Sequence, residues 1–403
     1  MSSLPPPSPD REPQFSLRSL AVGVFVPHSI MAIGQGATAP MIALVAIELG
    51  ASTAVASLIV GLFGLGALLG DVPAGILATR FGDRRLMLMA TGLLGSAALG
   101  VLAKPTLFVY GFLVLLMGAA TAMFALGRLA YATELSPVDR RGRVMSTIGG
   151  TQRIGLFIGP LLGSLSIGPL GLTGPFLIHG VLAFVAFATV FFGPDPRASQ
   201  PDTEEPTPTV LGILRTHRRI FATATMATVA IQIVRSSRQA IIPLWGNHIG
   251  LTASQIGFLF SVAAGMEVLM FYPVGRLMDR RGRMFAAIPS LVLMSIGIAL
   301  VPLTHSALTL GLVASAIGFA NGMGAGINMT LSADLSPAQG RSMFLGMWRM
   351  ITDAGTAGGP TLVALVASVA GLASAGVVIA ALGLGGAFVM WRKVPETLKM
   401  EPR

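Results

Sequence analysis

The chain has 403 residues, 53% of them hydrophobic and only 11% charged, and its mean hydropathy of +0.77 lies far outside the globular range. With no cysteine and five scattered histidines without metal-ligand spacing, it excludes a disulfide framework, a thiol nucleophile and a cysteine-bound metal, and no cofactor is expected. A net charge of +10 comes from short basic clusters between apolar runs, a pattern that membrane topology explains and nucleic-acid binding does not.

Residues 1–17, rich in proline, serine and charge, read as a disordered cytoplasmic tail rather than a cleavable signal. Crossing a hydrocarbon core of ~30 Å takes about 20 apolar residues. Runs of that kind predict spans 1 to 6 near 19–47, 54–79, 85–103, 106–133, 144–166 and 173–193, a bundle over 18–193. Residues 194–218, with Asp202, Glu204, Glu205 and several prolines, read as a linker. Spans 7 to 12 follow near 219–247, 254–278, 284–303, 307–333, 342–369 and 371–391, a second bundle over 219–392, and 393–403 form a cytoplasmic tail.

Arginine and lysine collect in cytoplasmic loops. Arg80, Arg84 and Arg85, then Arg140, Arg141 and Arg143, then Arg215, Arg218 and Arg219 fall on one side of these spans. Arg280, Arg281, Arg283, Arg341, Arg392 and Lys393 join them, while the opposite loops offer only Lys104. Both termini and the linker are therefore expected in the cytoplasm, which requires an even number of spans. The lysine-poor, glycine- and alanine-rich composition suits a bacterial plasma membrane, and a monomer is expected.

The chain also repeats itself at an offset of two hundred residues. Pro73, Gly75, Arg80 and Gly82 recur as Pro273, Gly275, Arg280 and Gly282, Gly118 as Gly318, and Gly159-Pro160 as Gly359-Pro360. Duplicated membrane halves are how many secondary transporters are built, with the substrate where the halves meet. In the loop after span 8, Gly275, Asp279, Arg280, Gly282 and Arg283 stand in the signature spacing of the major facilitator superfamily. Gly75, Arg80, Gly82, Arg84 and Arg85 do so after span 2, with Thr79 in the aspartate position. On these residues the chain resembles that superfamily over essentially its whole length. The resemblance implies an all-α integral membrane protein of 12 transmembrane helices, arranged as two six-helix pseudo-symmetric bundles. It also implies that the two loops act as conformational latches; the first lacks its usual carboxylate, and Asp83 is the substitute on offer. In span 5, Gly155-x-x-x-Gly159-Pro160-x-x-Gly163 resembles the motif of the drug and proton antiporter branch. Small residues at this spacing equally mark tight helix packing, and span 11 carries Gly355-x-x-x-Gly359-Pro360 with Val363 in the last position.

Ionisable side chains inside a span cost about 2.5–3.5 kcal/mol at its centre, so each is a functional candidate. They are Asp71, Arg128, Arg153, Arg235, Arg238, Glu267, Arg349 and Asp353. At 1.5 Å per residue, Asp71 and Arg349 lie about 12 and 11 Å in from the cytoplasmic side, and Arg153 and Glu267 about 14 and 17 Å. In the superfamily, helices 2 and 11 are neighbours, as are 5 and 8. The expected pairs across the two halves are thus Asp71 with Arg349 and Glu267 with Arg153, with Asp353 competing for Arg349. Protonating these carboxylates would shift the balance between inward-open and outward-open states, which makes the five residues candidates for proton coupling and gating. Static clamping is the plain alternative. Arg128 either faces the cavity or snorkels to the surface beside Asp139 and Arg143.

Polarity that lipid would not tolerate crowds span 7, in Gln232, Arg235, Ser236, Arg238, Gln239 and Trp245. With His28 and Gln35 of span 1, Arg128, and Asn321 and Asn328 of span 10, these make up the expected substrate cavity. Nothing resembles a catalytic constellation, so no enzyme is expected. The reading is a secondary active transporter working by alternating access in a lipid bilayer, coupling protons to efflux of small amphipathic organic molecules. The alternative is a carrier or exchanger of organic anions clamped by Arg235 and Arg238.

Overall fold

A backbone in hydrocarbon must satisfy its own hydrogen bonds, and helices do this within one segment. The computed structural model describes residues 20–134, 136, 141–193, 210–337 and 341–398, and among them there is no strand. The N-terminal tail, the first part of the linker, the last five residues, Asp139 and Arg140 lie outside the described residues, as do the side chains of Arg143 and Asp279.

The first half consists of α1 (Ala21–Thr38), α2 (Met41–Glu48), α3 (Thr53–Phe81), α4 (Asp83–Gly100), α5 (Leu107–Glu134), α6 (Arg141–Leu170) and α7 (Gly174–Phe191). Pro40 stands between α1 and α2, which meet at a 43° bend, as expected where a backbone donor is missing. After α8 (Val210–Thr216), the second half contains α9 (Arg218–His248), α10 (Ala253–Arg281), α11 (Arg283–Leu300), α12 (Ala307–Met323), α13 (Ile327–Leu335) and α14 (Arg341–Lys393). Among the described residues nine helices are long and apolar enough to cross a membrane, or ten if α1 and α2 make one span. Two of the nine segments, of 45 and 51 residues, are about twice the length one crossing needs. They turn back at Gly171 and Gly371, whose φ values of 68° and 81° are left-handed and accessible to glycine without strain. The turn thus recurs at the same offset as the sequence repeat.

Within each half the repeated glycines set the closest contacts. A Cβ on Gly118 of α5 would overlap the Phe63 carbonyl of α3, and one on Gly318 of α12 would overlap the Ala263 carbonyl of α10. Between the halves, α3 packs on α14 and α6 on α10, the two neighbour relations the resemblance implied. Two segments outside the predicted spans are packed against the bundles. The end of the predicted linker is helical in α8, because Ile213 is apolar and buries itself, 5% exposed, as α8 packs on α14. The start of the predicted C-terminal tail is docked, with Val394 6% exposed.

Candidate functional site: a cavity between the halves

The halves seal at the end away from the arginine-rich loops. Ser164 Oγ of α6 donates to the Ser254 carbonyl of α10 at 2.5 Å, Ser254 Oγ donates back to the Ser164 carbonyl at 3.3 Å, and Ser261 Oγ donates to the Phe157 carbonyl at 2.8 Å. On the other contact, a Cβ on Gly64 of α3 would lie 2.8 Å from the Ala357 backbone of α14. Towards the arginine-rich end the same four helices part. Among the described residues, Gly75 of α3, Gly150 of α6, Gly275 of α10 and Gly346 of α14 each have nothing within 4 Å of where a Cβ would stand. Among the described residues the two halves meet at one end and part toward the arginine-rich end.

Two ionic clusters lie on these helices and their neighbours. Arg349 Nη2 reaches Asp71 Oδ1 at 3.3 Å across the halves, and its Nε reaches Asp353 Oδ2 at 3.3 Å one turn along α14, so the arginine serves both acids at once. Glu267 Oε2 on α10 accepts from Arg238 Nη2 at 3.2 Å and Asn321 Nδ2 at 2.5 Å. Asn321 Oδ1 in turn accepts from Arg235 Nε at 2.6 Å, and Arg235 also donates to Gln232 Oε1 at 3.2 Å and the Gly324 carbonyl at 3.4 Å. Asn321 is the hinge of this network because an amide offers an acceptor to the guanidinium and a donor to the carboxylate. Beside it, Arg238, Gln239 and Glu267 line a recess whose wall Leu156 and Pro160 of the other half complete.

The expected pairing of Glu267 with Arg153 is corrected in part. The carboxylate's hydrogen-bonded ion pair is with Arg238 of its own half, while the charge of Arg153 bears on it from α6. Depth along a span placed Glu267 at the level of Arg153; the direction its side chain takes around α10 turns it to α9. The clamp expected of Arg235 and Arg238 is likewise already occupied, one by neutral acceptors and one by Glu267.

A second cavity lies inside the first half, with Gln35, Thr121, Phe124 and Gln152 in its wall. Arg128 does not reach for the surface. Its Nη1 turns inward to the ring of His28, 2.8 Å from Nε2 and closer to Nδ1, and His28 Nε2 lies 3.1 Å from the Ile148 carbonyl. The ring offers a buried acceptor that an apolar helix face lacks.

The model of the Major Facilitator Superfamily matches residues 24–339 and 239–403, which together take in almost the whole chain. The chain belongs to that superfamily. It is similar to the riboflavin transporter RfnT of Brucella anthropi, 29% identical over 271 residues, 63% of this chain and 67% of that one. It is also similar to the multidrug resistance protein MdtH of Klebsiella pneumoniae, 25% identical over 285 residues and 68% of each chain. A crystal structure of a POT family transporter shares the fold at a TM-score of 0.77 and 11% identity, covering 93% of this chain and 95% of that one. The chain is therefore a multi-pass membrane transporter and not an enzyme.

The superfamily's motifs take definite places. Gly82 and Gly282 turn at φ 83° and 106°. Arg84 donates to the Val190 carbonyl at 3.2 Å and to that of Phe191, while Arg283 pairs with Asp334 at 3.3 Å, so each ties down neighbours in its own half. Arg80 lies over Phe81, and Arg80 and Arg280 are exposed. The span 5 motif is a packing surface: Gly155, Gly159 and Gly163 meet Ala32, Gly36 and Ala37 of α1, and Gly36 in turn packs on Pro160. Gly355 and Gly359 meet α9 in the same way, so the motif packs closely in both halves. Trp245 and Asn328 leave the expected cavity. Trp245 is 8% exposed and donates to the Thr304 carbonyl at 3.1 Å, and Asn328 accepts from Trp348 Nε1 at 2.6 Å. Sequence reasoning passed over His179, Thr121 and Gln152, although a histidine within an apolar span was itself a signal.

Proposed function

We propose that this transporter is a proton-coupled exporter of small amphipathic organic molecules, crossing the membrane twelve times with both termini in the cytoplasm. Twelve crossings follow if α1 with α2 makes one span and each of the two long helical segments counts as two. The observation that carries the coupling is Arg349 held between Asp71 of the opposite half and Asp353 of its own helix. Protonating Asp71 removes the charge that joins the halves at this level and leaves Arg349 to Asp353, which biases the open and closed states differently. Glu267 supplies a second carboxylate at the recess. The four glycines that contact nothing at the arginine-rich end are surfaces that can meet when that end closes, as Gly64 meets Ala357 now. Relatives named for multidrug resistance and for riboflavin transport support an organic substrate.

Reconstitution into liposomes tests this. An imposed proton gradient should drive movement of at least one of rhodamine 6G, Nile red and 8-anilinonaphthalene-1-sulfonate, and Asp71→Asn or Glu267→Gln should reduce it at least tenfold. Transport indifferent to the gradient and to both substitutions would sink the reading.

A further inference from the structure

The cavity inside the first half holds two buried polar atoms with nothing to bond. Among the described residues, Arg128 Nε is shut off from solvent without a hydrogen-bond partner, and so is Nε2 of His179, a residue 1% exposed. Both side chains line this one cavity. Buried donors and acceptors are nearly always paired, so two orphans on side chains in the wall of one cavity ask for an occupant.

The charge there is also unbalanced. Among the described residues no carboxylate pairs with Arg128; its Nη1 goes to His28. The contact of His28 Nε2 with the Ile148 carbonyl at 3.1 Å places the ring proton on Nε2 and leaves the Nδ1 lone pair for the guanidinium. The histidine is then neutral and offsets no charge. Arg349 of the opposite half bears on Arg128 but is itself paired with Asp71 and Asp353. An unspent guanidinium N–H in such surroundings suits a carboxylate or sulfonate.

The other end of the cavity is polar but uncharged. His179 Nδ1 lies 3.1 Å from Thr38 Oγ1, and that hydroxyl is also 3.2 Å from the Gly34 carbonyl. Depending on where the Thr38 proton points, Nε2 is a donor or an acceptor, and a hydroxyl group satisfies either. The His179 ring packs on Gly34, where a Cβ would overlap it. Gly34 is six residues along α1 from His28, which puts the two polar ends about 9 Å apart. Met31, Leu94 and Phe124 line the space with them.

We infer that this cavity is a substrate subsite for amphipathic organic anions, with the acid group on Arg128, a ring against Met31 and Phe124, and a hydroxyl at His179. This rests on the exporter reading and names its substrate class.

The test is isothermal titration of the detergent-purified full chain with 6-hydroxy-2-naphthoate, 2-naphthoate and 2-naphthol. Lacking the charge-assisted hydrogen bond, 2-naphthol should bind about ten- to a hundredfold more weakly than 6-hydroxy-2-naphthoate. Arg128→Gln should abolish that difference, and Arg128→Lys should keep part of it. His179→Leu should lower the hydroxylated acid to the affinity of 2-naphthoate and leave 2-naphthoate itself unchanged. Equal affinities of the naphthol and the hydroxynaphthoate for the unaltered protein would overturn the subsite, whatever the variants do. So would undiminished hydroxynaphthoate binding by Arg128→Gln. Titration needs no gradient, so the two readings fail separately. Gradient-driven dye export without carboxylate binding sinks the subsite alone, and carboxylate binding without gradient-driven export sinks the exporter alone.

Discussion

Arg349 Nη2 stands 3.3 Å from Asp71 Oδ1 across the boundary between the repeats, 278 residues away in the chain. Their side chains remain 42% and 25% exposed, so solvent weakens the pair, and it contributes under about 1 kcal/mol. That is too little to hold the fold together and enough to bias a conformational equilibrium. Asp71→Asn should leave the melting temperature nearly unchanged while shifting the population of this open state by up to about fivefold. The chain has no cysteine, so Gly346→Cys gives a single reporter in the opening. Its labelling by a maleimide should slow in the Asp71→Asn background, and unchanged labelling would contradict the bias.

Glu267→Gln should behave differently, because it strands more than one arginine. Removing one member of a largely buried, hydrogen-bonded pair costs about 3 kcal/mol, and the side chains of Arg238 and Glu267 are 19% and 17% exposed. The double variant Glu267→Gln with Arg238→Gln should melt above the sum of the two single losses, by about 0.5–3 kcal/mol of coupling. Strictly additive melting shifts would mean that the contact carries no interaction energy.

The two ends of the interface should respond oppositely to bulk. Gly64→Leu places a side chain against the Ala357 backbone, 2.8 Å from its Cβ, and should break the seal and destabilise this conformation. Gly75→Leu meets nothing within 4 Å and should melt like the unaltered protein, yet lose at least tenfold in transport because the open end cannot close. Normal transport by Gly75→Leu would mean that this end never closes around that glycine.

Beyond the last helix, Glu396 caps the start of α11, where its carboxylate accepts from the Arg283 and Met284 amides at 2.8 and 2.9 Å. Burial pushes its pKa up, but the amides of Leu398, Arg283, Met284 and Thr397 outweigh it and hold the carboxyl below its ordinary 4.5. A folded value below the unfolded one adds stability that is complete above the unfolded value and lost as pH falls through the folded one. Glu396→Gln should therefore cost about 0.3–1 kcal/mol at neutral pH. The gap between the two melting curves should close as pH falls well below 4.5, and a gap independent of pH would exclude the charge as its origin.

How far the site was legible followed from what a linear pattern encodes. Counting residues from a span end gives depth, because every helical residue rises by the same 1.5 Å, and depth was enough to bring Asp71 to Arg349. It says little about rotation around the helix axis when the apolar face goes all the way round, as it does in spans buried on one side and bathed in lipid on the other. Glu267 therefore found Arg238 where depth alone had pointed to Arg153. For the same reason Arg128 turned to His28 and Trp245 turned away from the recess. The glycine-proline motif was legible as a pattern, but whether its glycines served packing depended on what lay opposite, and that proved to be α1.

By itself the sequence determined the solvent, the rough spans and the duplication, because apolar length, basic loops and a repeat at two hundred residues are one-dimensional quantities. The sealed end, the parted end, the sharing of Arg349 by two acids and the orphans of Arg128 and His179 were decided only by tertiary structure. Each depends on which faces of helices far apart in the chain are turned toward each other, and close packing of backbones sets that azimuth through contacts that no single segment contains.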